Sequence, residues 1–177
     1  VVIWLFSYIL TYVGSKTSPV AFFKASAPAQ AVAISTQSSL ASLPAMVSGV
    51  KAMGVGDRSA DVVLPIAVAL FRATGPCMNL AVAIYVAHLL GIPLSIGALA
   101  IGVAVAAITT MGAVSLPGSI SFITSIAPIC LAMGIPIEPL VLLLAIETFP
   151  DIIRTVANVS ADMSVTAIVA RSEGDLT

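Results

Sequence analysis

The sequence predicts an all-α membrane protein. It would have two re-entrant helical hairpins and two long transmembrane helices, one of them broken, in an inverted-repeat arrangement. Three observations predict it. First, the 177 residues are 59% apolar and only 8% charged, against roughly 45–50% and about 25% in a soluble domain. Second, the mean hydropathy is +1.15, and a soluble fold near 150 residues would still expose about 30% of its unfolded surface, so this apolar area belongs in a bilayer. Third, the charges fall in islands, and two of the turns between apolar segments carry none. Soluble enzymes and disordered tails are excluded. Seven Lys/Arg against eight Asp/Glu give a net charge of −1, which leaves no basic footprint for nucleic acid.

Residues 1–14 open on the apolar run Val1–Val13. It is shorter than the about 20 residues a span needs. It reads as the end of a truncated transmembrane helix that starts ahead of Val1. Trp4, Tyr8 and Tyr12 in it read as lipid-interface residues.

Residues 15–54 form the first predicted hairpin. Ser18–Ile34 and Leu43–Met53 are short apolar segments, separated by the uncharged run Ser35-Thr36-Gln37-Ser38-Ser39. Residues 55–91 follow as a transmembrane helix. Asp61–Leu90 is long enough to cross, but Thr74-Gly75-Pro76 breaks it. Arg72 lies just before the break. Free carbonyls there can coordinate a cation, and a permanently charged guanidinium can take the place of one. Pairing with an acid on the last span is the alternative. His88 reads as a packing or interfacial histidine, and Cys77 and Cys130 as packing residues.

Residues 92–135 form the second hairpin. Leu94–Met111 and Ser119–Met133 flank Val114-Ser115-Leu116-Pro117-Gly118. A turn emerging into cytoplasm normally carries Lys or Arg. An uncharged Ser/Pro/Gly turn fits a tip at membrane depth, where irregular backbone is tolerated inside protein or beside a cavity. Ordinary full spans are the alternative, and charge parity does not separate the two. The Lys/Arg bias places Lys16–Lys24, Lys51–Arg58 and the tail with Arg171 in the cytoplasm. Each half then reads as a broken hairpin followed by a long span, entering from opposite faces. Such pairs point to a binding site near the bilayer midplane.

Residues 136–171 are predicted as one amphipathic transmembrane helix, and residues 172–177 as a cytoplasmic tail. Glu147, Asp151, Arg154, Asn158 and Asp162 recur every three or four positions and fall within a stripe of roughly 80°. A charge at the bilayer centre costs at least ~2.5 kcal/mol, so the stripe faces protein or water. Pairing of Arg154 with Asp151 leaves Glu147 and Asp162 uncompensated, which suggests bound cations or protons. The planar fork of Arg154 suits a carboxylate ligand. Pro150, one residue before Asp151, removes a helical hydrogen bond and frees a carbonyl near the stripe.

The run Asp151-Ile-Ile-Arg154-Thr155-Val-Ala-Asn158-Val-Ser-Ala-Asp162, followed by Thr166-Ala167-Ile168-Val169-Ala170, resembles the last span of the glutamate transporter family, the dicarboxylate/amino acid:cation symporters. Ser38-Ser39-Leu40-Ala41-Ser42-Leu43-Pro44 resembles the tip of that family's first hairpin, and Ser115-Leu116-Pro117-Gly118 the tip of its second. The resemblance covers about residues 15–175, the C-terminal half of a typical member. It implies an elevator-type transport core, a non-enzyme, in the plasma (inner) membrane with its C-terminus cytoplasmic. The substrate would be an acidic or related amino acid. Asp151 would hold its amino group, Arg154 its side-chain carboxylate, and Thr155 and Asn158 its carboxylates. Ser39 and Leu116 would mark the tips that close over it, the second hairpin being the outer gate. Asn158 and Asp162 would hold a cation, with Na⁺ and/or H⁺ as coupling ion and no other metal or cofactor. A homotrimeric scaffold would lie mainly outside this chain. C4-dicarboxylate or cystine symport is the nearest alternative.

One departure stands out. The family's seventh span carries Asn-Met-Asp-Gly-Thr, where this chain reads Phe71-Arg72-Ala73-Thr74-Gly75. The resemblance therefore implies fewer bound sodium ions, with the charge of Arg72 replacing one. Rival classes fare worse. An intramembrane aspartyl protease would need Asp151 and Asp162 in near contact, but 11 helical residues separate them by about 16 Å. A Ser39–His88 pair would need an outer histidine to reach a tip entering from inside. A channel subunit remains a rival that counterflow exchange would separate.

Overall fold

The computed structural model describes residues 1–112 and 119–177, and every regular element in them is helical. In chain order these are α1 (Val2–Ser15), α2 (Pro19–Thr36), α3 (Ser39–Ala52), a π-helical turn (Ser59–Val63) that runs into α4 (Leu64–Leu70), α5 (Gly75–Leu89), α6 (Ile96–Gly112), α7 (Ser119–Ala132), α8 (Pro139–Leu143) and α9 (Thr148–Ser172). The stretches Ser59–Leu89 and Thr148–Ser172 are long and apolar enough to cross a membrane. Large apolar side chains such as Leu5, Phe6, Ile9, Ile66, Tyr85, Ile101 and Ile108 stand exposed. For water this surface is inside out; for lipid it is ordinary.

The helices divide into two compact units. One holds residues 1–73 and 152–177, the other residues 74–151.

In the first unit, α2 and α3 form a helical hairpin with a two-residue connection. Pro19 stands in the first turn of α2, where its missing N–H is no loss. Gln37 ends α2 in the left-handed conformation, φ 53°. Ser38 then starts α3 by accepting the Ala41 N–H at 3.2 Å, the usual office of an N-cap serine. The two helices approach closely because small residues line the contact: a Cβ on Gly49 would meet the Ala25 carbonyl oxygen. In lipid, where burial gives helices no hydrophobic drive, such close packing is what holds them. Phe22, Ala29 and Ala33 of α2, Met46 and Val50 of α3, and Val156, Val159 and Met163 of α9 form one core.

The π-helical turn precedes Pro65. The Leu64 N–H reaches back five residues to Ser59 O, a single wide turn of the kind that accommodates a proline in a helix. α4 ends at Leu70 and α5 starts at Gly75, so helical geometry lapses around Arg72. Pro76 in the first turn of α5 explains the restart. The tail closes on the loop after α3. Gly56 N–H donates to Asp175 O at 2.7 Å, Thr177 N–H to Gly54 O at 3.0 Å, and Ser59 N–H to Asp175 Oδ2 at 2.8 Å.

The second unit packs α5, α6, α7 and α8 around Ala83, Val86, Ala106, Phe122, Ile126 and Ile129. Here too glycine allows close approach, since a Cβ on Gly75 would meet the side chain of Thr110.

Two expectations need correction. The last span is not one helix over 136–171. α8 ends at Leu143, turns follow, and α9 starts at Thr148 with Pro150 in its first turn. A proline is tolerated there and would break a helix interior. Trp4 and Tyr8 are not free surface aromatics. Both pack against the core of the first unit, and Tyr8 meets Phe22 edge-on with ring centroids 4.9 Å apart. Tyr12 alone of the three is exposed.

Candidate functional site

Of the two stretches long and apolar enough to cross a membrane, α9 is the more enclosed, and each of its faces has a separate occupation. Val156, Val159, Met163, Ala167 and Ala170 recur every three or four residues and enter the core beside α2 and α3. A second face binds through polar groups. Gln30 Nε2 of α2 donates to Ser160 Oγ at 3.0 Å. Ser164 Oγ donates to the Ser7 carbonyl of α1 at 3.2 Å, and Arg171 Nη1 to the Ser15 carbonyl at 2.9 Å. The third face carries Arg154, Thr155, Asn158 and Asp162, only 6%, 5%, 3% and 1% exposed.

A structural seam would be expected to close on itself, as the second face does. The third face does so incompletely. Asp162 Oδ1 is buried and accepts no hydrogen bond among the described residues. Arg72 stands in the interruption between α4 and α5 and is partly buried. The Thr166 hydroxyl donates to the Asp162 backbone carbonyl at 2.8 Å and leaves the carboxylate alone. Ser39, in the first turn of α3, is buried beside its N-cap Ser38.

Asp151 closes the second unit and is also buried, at 5% exposure. It stands in the first turn of α9, where its own N–H donates to Glu147 O at 2.9 Å. A carboxylate is favoured at that end of a helix by the macrodipole. Glu147 stands just ahead of α9 and so does not continue the stripe as a helical residue. It instead lines a cavity of about 310 Å³ in the second unit with Met78, Tyr85, Phe122, Ile146 and Pro150. Leu116 and the rest of the second hairpin tip lie outside the described residues. His88 is exposed near the end of α5, Cys77 is exposed and Cys130 is buried.

Sequence reasoning missed Gln30. Its amide also donates to Tyr8 Oη at 3.2 Å and Ser26 Oγ at 3.1 Å, so one side chain ties α1, α2 and α9. Asn79 of α5 and Thr110 of α6, both buried, were missed as well. The available signal was only an uncharged polar residue in an apolar helix.

Comparison with known proteins adds a separate finding. The profile of the sodium:dicarboxylate symporter family matches residues 1–172. C4-dicarboxylate transport protein 1 of Pseudomonas aeruginosa strain UCBPP-PA14 is 30% identical over 146 residues, 82% of this chain and 32% of that protein. An excitatory amino acid transporter of Caenorhabditis elegans is 31% identical over 171 residues, 95% of this chain and 33% of that protein. A C4-dicarboxylate transport protein of Bacillus subtilis strain 168 is 30% identical over 145 residues, 81% of this chain and 34% of that protein. The chain thus spans about a third of the length of the relatives it matches.

Proposed function

The chain belongs to the sodium:dicarboxylate symporter family, and from that premise we propose that it is the substrate-binding part of a secondary transporter for acidic or related amino acids. The observation that carries this reading is the row of buried polar side chains on α9, Asp151, Arg154, Thr155, Asn158 and Asp162. Arg154 holds the side-chain carboxylate of the substrate through two parallel N–H donors. Thr155 and Asn158 contact its carboxylates, and Asp151 takes its ammonium. Asp162 with the Asn158 backbone forms the cation end of the row. Ser39 and Leu116 lie at hairpin tips that close over the substrate. The hairpins enter the membrane from opposite faces without crossing, the second serving as outer gate. The core moves as an elevator within a homotrimer whose scaffold lies outside this chain. The protein sits in the inner membrane with the tail cytoplasmic, and Na⁺ and/or H⁺ supplies the driving gradient.

Relatives named for C4-dicarboxylate transport favour a second reading. Asp151 separates the two. A carboxylate facing a substrate with two carboxylates and no ammonium would be repelled in a site of low dielectric. Uptake of L-aspartate and of succinate by the full-length protein in proteoliposomes tests this. Asp151→Ser should depress L-aspartate uptake at least about tenfold, the scale of one lost charge-assisted hydrogen bond. It should leave succinate uptake equal or raised. Unchanged L-aspartate uptake would remove the amino-group role of Asp151.

A further inference from the structure

Within the first unit, α9 is gripped from behind. Ser160 stands about 160° around the helix from both Asn158 and Asp162, which lie two positions to either side of it. Its side chain is fully buried. The hydroxyl donates to Val156 O at 2.8 Å and accepts from Gln30 Nε2 at 3.0 Å. One turn on, Ser164 Oγ donates to Ser7 O at 3.2 Å. The residues that α9 sends into the apolar core are Val, Ala and Met, and apolar contact is non-directional. A hydrogen bond weakens steeply as it bends. The Ser160 and Ser164 bonds therefore resist rotation of α9 about its axis in a way that apolar packing alone does not.

Gln30 is itself anchored on both sides. It is 6% exposed, and its Nε2 also donates to Tyr8 Oη of α1 at 3.2 Å and to Ser26 Oγ, one turn earlier on α2, at 3.1 Å. Tyr8 is braced edge-on against Phe22, and Ser26 is fully buried. A primary amide has two N–H donors, so three acceptors share two hydrogens. Removing one acceptor leaves the amide bonded to the others.

We propose that Gln30 is a positioning residue for substrate binding: through Ser160 it sets the rotation of α9, and so the aim of Asn158 and Asp162. The proposal rests on the reading of the α9 row as the binding site and deepens it by naming the side chain that holds the row in place. The polar atoms of a helical row stand about 5–6 Å from the axis. A rotation of about 10° displaces them by about 1 Å, enough to spoil a binding constellation. Gln30 acts from behind the helix and does not touch the substrate.

The test is calorimetric titration of L-aspartate into the full-length protein at fixed sodium, beside the melting temperature of each variant. Titrations are made at a temperature where every variant is folded. Gln30→Leu and Ser160→Ala should each weaken binding by about tenfold, the scale of one buried hydrogen bond. Both remove the same bond, so the double variant should lose no more than either single one. Tyr8→Phe removes a different acceptor and keeps the bond to Ser160. It should lower the melting temperature and leave the affinity unchanged. A merely structural Gln30 gives another pattern: Gln30→Leu melts lower but binds L-aspartate as wild type does. That pattern, or additive losses in the double variant, would overturn the proposal. Ser160→Ala covers the case in which Gln30→Leu does not fold. If wild type binds succinate rather than L-aspartate, the same comparison is made with succinate. Wild type that binds neither refutes the α9 row as a substrate site and the proposal with it. Intact wild-type binding with unchanged variants refutes the positioning role alone.

Discussion

Gly49 gives the sharpest test of how the first hairpin is held together. A Cβ at this position would meet the Ala25 carbonyl oxygen and would lie 2.7 Å from Met163 Cε. The methionine end can swing aside, but the carbonyl belongs to the backbone of α2 and moves only if the helix moves. Two effects oppose each other in Gly49→Ala. Replacing a helical glycine gains up to about 1 kcal/mol in helix propensity. Overpacking at a close crossing costs about 1–3 kcal/mol. With backbone as the obstacle the second effect wins, for a net loss of about 1–2 kcal/mol. Gly97, in the first turn of α6, is the internal control, because its nearest obstacle is Ser95 Oγ at 3.7 Å, an ordinary contact. Gly97→Ala should be neutral or slightly stabilising. The assay is thermal unfolding of the two full-length variants in detergent, followed by tryptophan fluorescence. Gly49→Ala should melt a few degrees below wild type and Gly97→Ala at or above it. If Gly49→Ala melts as high as Gly97→Ala, the close approach of α2 and α3 is not as described.

Two further outcomes follow from the same packing. Gln30→Leu removes donors to Tyr8, Ser26 and Ser160 and should lower stability by about 1–2 kcal/mol, read as a fall in melting temperature; an unchanged midpoint would show that the amide knot contributes nothing net. The tail should release in acid. Hydrogen bonding from Ser59 holds the Asp175 carboxyl below its ordinary value, so its contribution is full above about pH 4, the unfolded value, and is lost as pH falls through the lower folded value. At neutral pH Asp175→Asn should mimic that loss, and amide hydrogen exchange in residues 54–59 should quicken in the variant; equal exchange would mean that the tail is not clamped through this carboxylate.

What could be read from the sequence was what local pattern encodes. The Gly75-Pro76 pair stops helical geometry by its own covalent structure, so the lapse between Leu70 and Gly75 needed no tertiary information. The start of α3 was not legible: the apolar segment begins at Leu43, whereas Ser38 caps a helix that starts at Ser39, because hydropathy marks the apolar run and passes over the polar first turn. The α9 row was legible because polar residues every three or four positions in an apolar helix must share a face. The start of α9 was not. Spacing extends a stripe through Glu147, but the turns after α8 and Pro150 in the first turn end the register there. Tyr8 was misjudged because an aromatic with a hydroxyl suits a lipid interface and a buried partner equally, and its partner Gln30 lies 22 residues away. The clamp between Gly54–Ser59 and the tail joins segments more than a hundred residues apart. No periodicity announces such a contact.

The central claim is that the buried row on α9 binds an anionic substrate through Arg154. Calorimetric titration of L-aspartate into the full-length protein tests it most directly, with wild type and Arg154→Ala compared at the same sodium concentration. Truncating one partner of a buried charged pair costs about 2–5 kcal/mol. The account therefore predicts a loss of affinity of about 30-fold or more in the variant. Equal affinity for L-aspartate in wild type and Arg154→Ala would contradict it.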